Sequence, residues 1–164
     1  MKIKRYISKI LNGTFILIIF LFVLDTVTSF EIKNQAIKSF TYFGIIILTP
    51  LILIWNLWYL KKTKRKILSS ALPMLTLIVV MILGPMKIIF SSSSWKTQTV
   101  LYQNKKIANK KVEFQTQDIG ALGYNKRTVE ITYLTYLFMI VSSVEKDIDK
   151  QVEWKKVTKK TLKK

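Results

Sequence analysis

The sequence predicts an α-helical integral membrane protein with three transmembrane helices and a small C-terminal, mainly antiparallel β domain. Three observations carry that prediction. Apolar residues fall in three long blocks before Ser91, each near the ~20 residues needed to cross a bilayer. Strongly basic segments precede the first block and separate the second from the third. After Trp95 the pattern changes to an alternation with period two, which marks half-buried strands. The expected boundaries are a transmembrane domain over 1–91, with spans at about 12–30, 40–60 and 70–90, a β domain over 95–157, and a basic tail over 158–164.

Composition agrees with this division. The 164 residues carry a net charge of +18, yet mean hydropathy is positive, at +0.27. Charge and apolarity are segregated into blocks, which separates a membrane chain from a basic globular one. The chain has no Cys, so it holds no disulfide, thiolate metal site or lipidated cysteine. It has no His either, which removes the usual proton shuttle and the commonest metal ligand.

The first block follows Lys2, Lys4, Arg5 and Lys9 and has an unbroken apolar run, Thr14 to Leu24, within the span at about 12–30. It reads as a membrane anchor, or as a cleaved signal with a small-residue site at Val27-Thr28-Ser29. Small residues are sparse around that site, which favours the anchor. Either way, residue 31 onward begins outside. Glu31 to Ser39 reads as a short, weakly basic loop.

The second span, Phe40 to Leu60, has Tyr42 and Phe43 at one end and Trp55, Trp58 and Tyr59 at the other, as interfacial aromatic belts require. Pro50 should kink it. Asn56 could bond across helices, but its aromatic neighbours place it at the interface.

Lys61, Lys62, Lys64, Arg65 and Lys66 form the topology-setting basic loop. Short Lys/Arg-rich loops stay on the cytoplasmic side. The expectation is therefore a multi-pass protein of a bacterial cytoplasmic (inner) membrane, N-terminus inside and C-terminus outside. In the third span, Ser69-Ser70 can cap the helix, Pro73 falls in its first turn, and Gly84-Pro85 bends its far end.

Alternation then marks strands at Lys111–Gln117, Thr128–Tyr133 and Gln151–Lys155. Asn104-Lys105-Lys106, Asn109-Lys110 and residues 120–125 read as turns or loops. The apolar run Ile131–Val144 has two readings. It is short for a span and rich in Thr, Tyr, Ile and Val, which favours a buried strand over a fourth membrane helix.

Few residues offer chemistry. Asp25 and Lys87 are the ionisable residues inside apolar runs, and they form a candidate intramembrane ion pair. Glu145 to Asp149 alternates carboxylates, but Lys150 and Lys156 stand where a calcium loop needs Gly and Glu. Gly120-Ala121-Leu122-Gly123 has a G-x-x-G spacing, but strands flank it, so it reads as a turn. Asn12-Gly13-Thr14 is a glycosylation sequon on the inner side and is discounted. No catalytic, cofactor or metal residue is assigned, and no enzyme activity is expected.

The expected function is a non-catalytic, membrane-anchored interaction or assembly module acting through an extracytoplasmic β domain. Its expected partners are the lipid bilayer, with anionic lipids or envelope polymers, and a second copy or another membrane protein. Nucleic acid is not expected. The alternative is a small membrane-active (pore or effector) or immunity-type protein with a fourth span at 131–144.

Overall fold

The computed structural model describes residues 2–60, 63–144 and 152–157. Lys61 and Lys62 of the basic loop, the segment Glu145–Asp149, Gln151 of the expected strand Gln151–Lys155 and the tail Thr158–Lys164 lie outside the described residues. The chain forms two compact units, Met1–Val23 with Ser39–Ser92, and Leu24–Lys38 with Ser93–Lys164.

The helices are α1 (Lys2–Val27), α2 (Gln35–Tyr59), α3 (Thr63–Leu83) and the short α4 (Pro85–Ser91). Tyr6–Val27, Gln35–Tyr59 and Thr63–Leu83 are each long and apolar enough to cross a membrane. The expected Ser69-Ser70 cap and first-turn Pro73 are corrected. α3 begins at Thr63, so Lys64, Arg65 and Lys66 lie in its first turn and Pro73 in its interior. Lys and Arg are good helix formers, so the helix runs back through the basic stretch. At Gly84, φ of +86° breaks the helix before Pro85 opens α4.

The helical unit buries Ile18 and Phe22 of α1, Tyr42 and Ile45 of α2, Val80 of α3 and Ile88 of α4 as one cluster. Phe22 and Tyr42 meet edge to face at 5.2 Å. Gly44 lets α2 approach α1, because a Cβ there would stand 2.9 Å from Ile18 Cδ1. Many large apolar side chains, such as Ile16, Phe20, Phe40, Ile47, Leu51 and Ile78, face outward.

Asn56 is fully buried in this unit. Its Nδ2 donates to the Ser69 carbonyl at 2.8 Å and to Asn12 Oδ1 at 3.3 Å. The Ser69 carbonyl is the one that the N–H of residue 73 would take in a regular helix. Pro73 has no N–H to give. Asn56 thus supplies from α2 the donor that Pro73 removes from α3, and Asn12 ties α1 to the same point.

The second unit is one antiparallel sheet. Its strands are β1 (Phe30–Ile32), β2 (Lys96–Asn104), β3 (Lys110–Asp118), β4 (Tyr124–Tyr133), β5 (Phe138–Ser142) and β6 (Trp154–Lys156), in the order β1-β5-β4-β3-β2-β6. The expected loop Glu31–Ser39 is corrected. It starts in β1, which pairs Phe30 with Ile140 and Ile32 with Phe138. Its later residues open α2. The run Ile131–Val144 is neither a membrane helix nor one strand. It is the end of β4, a turn and β5, joined through Ile131↔Val141 and Tyr133↔Met139. The β3–β4 hairpin turns through Gly120 and Gly123, whose φ values of +67° and +93° favour glycine.

The free edge of β1 is closed by its own neighbours. Lys33 N–H and the Ser29 carbonyl bond towards β5. The Phe30 and Ile32 N–H groups therefore point away from it. They donate to Thr28 Oγ1 at 3.1 Å and Asp25 Oδ1 at 2.6 Å. Occupied donors blunt an edge that would otherwise template strand pairing.

Candidate functional site

β3 places Glu113, Gln115 and Gln117 at alternate positions, hence on one face. The usual rule would turn this polar set to solvent and the Val112 face inward. Instead both are buried: Glu113 is 2% exposed, Gln115 1% and Val112 1%. The polar face stays inside because each member finds partners, which is the condition for burying polar groups.

Arg127 of β4 is the hub. Its two terminal nitrogens each lie 2.6 Å from a Glu31 carboxylate oxygen of β1. Its Nε and one terminal nitrogen donate to Gln115 Oε1 at 3.1 and 2.9 Å. The guanidinium lies 3.9 Å over the Trp95 ring. Gln115 Nε2 passes the network to Glu113 Oε2 at 3.3 Å. Glu113 also accepts from Thr97 Oγ1 at 2.5 Å, and the Tyr133 hydroxyl lies 2.9 Å from both its oxygens. Gln117 donates to the Ser93 carbonyl at 2.8 Å and accepts from Asn125 at 3.3 Å.

Burial is the chief force that raises the Tyr133 pKa to about 12. The Thr97 hydrogen bond opposes it, while the Glu113 charge and hydrogen bond add to the rise. Tyr133 therefore stays protonated at neutral pH and acts as a donor to Glu113 rather than as a base. Lys33 Nζ sits 4.0 Å from its ring centroid. The arrangement joins β1 to β2, β3 and β4 through charge-assisted bonds, and the polar groups of Arg127, Gln115 and Glu113 face one another. No group of three or more metal-ligating residues occurs among the described residues.

Asp25 is engaged locally. The ion pair in the structure is with Lys38 at 3.3 Å, with the Asp25 and Lys38 side chains 1% and 4% exposed. The partner expected from the sequence is Lys87. Lys38 is a turn into α2 and lies on the same short connection. Lys87 is exposed on α4, in the helical unit. Together with the Asp25–Ile32 bond, the pair pins the end of α1, β1 and the start of α2 into one connection.

No family model matches the chain, and no curated protein or solved structure is significantly similar to it.

Reasoning from sequence missed the Glu113–Arg127–Glu31 network. The available signal was three polar side chains at alternate positions of one strand, Glu113, Gln115 and Gln117. Their partners depend on strand register, which periodicity does not supply.

Proposed function

We propose that this chain is a non-catalytic, membrane-anchored interaction module. It crosses the cytoplasmic membrane three times, keeps its basic N-terminus and the 61–66 segment inside, and presents the sheet outside. The pairing of β1 with β5 supports that topology, because it requires the α1–α2 connection and the C-terminal strands to share a compartment. The basic residues at the N-terminal ends of α1 and α3 fit the positive-inside tendency.

The observation that carries the interaction reading is the apolar end of the sheet. Ile107 in the β2–β3 turn, Leu134 and Tyr136 in the β4–β5 turn, and Val152 before β6 are all exposed, Tyr136 at 78% and Val152 at 84%. These turns are neighbours, linked by Lys105 N–H to the Glu153 carbonyl and Tyr133 N–H to the Asn109 carbonyl. Large apolar side chains grouped at one exposed end are a mark of a protein-binding surface. The occupant is a second copy or another membrane protein.

A photoreactive residue at Tyr136 tests this in intact membranes, with the same group at Thr128 as reference. Cross-linking to protein from position 136 and not from 128 is expected. Equal cross-linking at both, or none at 136, would reject the reading.

A further inference from the structure

The opposite end of the sheet carries a different surface. There the chain enters β2 through Ser93 to Trp95, beside the β3–β4 hairpin, and Gln117 holds that entry at the Ser93 carbonyl. An open groove of about 360 Å³ lies at this end, lined by Lys96, Gln98, Thr116, Asp118, Tyr124 and Lys126. The register sets Lys96 opposite Thr116 and Thr116 opposite Lys126. The two lysines therefore flank Thr116 on one face, about 10 Å apart at the backbone.

Charge in the groove is positive. Lys96 and Lys126 are exposed, and neither makes an ion pair among the described residues. Asp118 is the opposing charge, and its Oδ1 is held by the Gly120 N–H at 2.8 Å. Gln98 Nε2 donates to Thr116 Oγ1 at 2.8 Å, which leaves its second N–H and the Thr116 hydroxyl proton for a ligand. At the rim, the hairpin turn exposes Leu122 (67%) and Tyr124 (65%).

We infer that this end of the sheet binds an anionic phospholipid. Lys96 and Lys126 hold the headgroup phosphate, Gln98 and Thr116 supply neutral donors, and Leu122 and Tyr124 enter the interfacial layer. The lipid, rather than free phosphate, follows from the rim. A soluble anion gives no reason to expose Leu122 beside the cations, whereas an apolar tip with Tyr and Lys behind it suits the membrane interface. The site rests on the membrane placement proposed above but not on the protein contact at the other end.

The test uses the full chain, whose lack of Cys makes Leu122→Cys a unique attachment point for a polarity-sensitive fluorophore. The labelled protein is placed in nanodiscs of phosphatidylcholine, with and without phosphatidylglycerol, and separately exposed to inorganic phosphate. A blue shift that depends on phosphatidylglycerol is expected. Lys96→Gln and Lys126→Gln should each weaken it about fivefold. The same shift in both lipids, in the double lysine variant, or with phosphate alone would overturn the lipid site. A chain that fails to enter the disc would overturn the membrane placement as well.

Discussion

Arg127 of β4 and Glu31 of β1 meet in a two-pronged ion pair, both contacts 2.6 Å long, across 96 residues of sequence. The side chains are 19% and 15% exposed. The pair joins the connection between the first two helices to the C-terminal sheet. Removing one partner leaves the other charge largely buried, at a cost of about 3 kcal/mol. Glu31→Gln and Arg127→Gln should each lower thermal stability in detergent by that order. The double variant should lose less than the sum, because neither charge is then stranded.

Tyr133 gives the sheet a pH signature. Its pKa is raised from 10.0 to about 12 in the fold. The folded state therefore holds the proton more tightly than the unfolded chain. That contribution is fully present below pH 10 and fades as pH rises to about 12. Tyr133→Phe should be less stable than wild type at pH 8, by about 1–2 kcal/mol, because Glu113 loses a buried donor. The gap should narrow between pH 10 and 12, as read by denaturant unfolding at each pH.

Asp25 holds Lys38 and the Ile32 N–H at once. Asp25→Ala removes the buried ion pair with Lys38 and frees the β1 edge donor. Amide exchange at Ile32 should rise by two orders of magnitude or more, given a loss of about 3 kcal/mol. Unchanged protection at Ile32 would show that Asp25 does not close this edge.

In the helical unit, Asn56→Leu should destabilise by about 1 kcal/mol, within the range of interhelical hydrogen bonds in membranes. Pro73 allows a sharper test of the same bond. In a Pro73→Ala background, the Ser69 carbonyl regains a helical donor, so Asn56→Leu should cost measurably less. An unchanged cost would break the assigned link between Asn56 and Pro73.

Sequence periodicity was enough to find the long helices and strands β3 and β4, because each signal lies within a single segment. Val129, Ile131 and Tyr133 alternate with Thr128, Glu130 and Thr132, and the strand is there. β2 was not legible: Lys96–Asn104 breaks alternation, and its pairing shifts register between Thr97 and Thr99 and again between Val100 and Tyr102. β1 was hidden for another reason. Three residues carry no period, and their partners Phe138 to Ile140 lie more than a hundred positions away. Asp25 stands out in the sequence as an ionisable residue in an apolar run, but its contact with Lys38 depends on how the α1–α2 connection folds, which periodicity does not supply. The candidate site was the least visible part, since burial of Glu113 and Gln115 follows from partners that only the register brings together.

The shared sheet is the central claim, and Phe30 and Ile140 test it most directly. They form a pair whose N–H groups do not bond to one another, with expected Cα separation of about 4.5 Å, within disulfide range. The chain has no other cysteine to compete. The measurement is disulfide formation by the Phe30→Cys/Ile140→Cys variant in intact cells, followed by a membrane-impermeant reductant. The account predicts a 30–140 disulfide that the reductant opens from outside. No disulfide under added oxidant, or one that opens only after lysis, would contradict it.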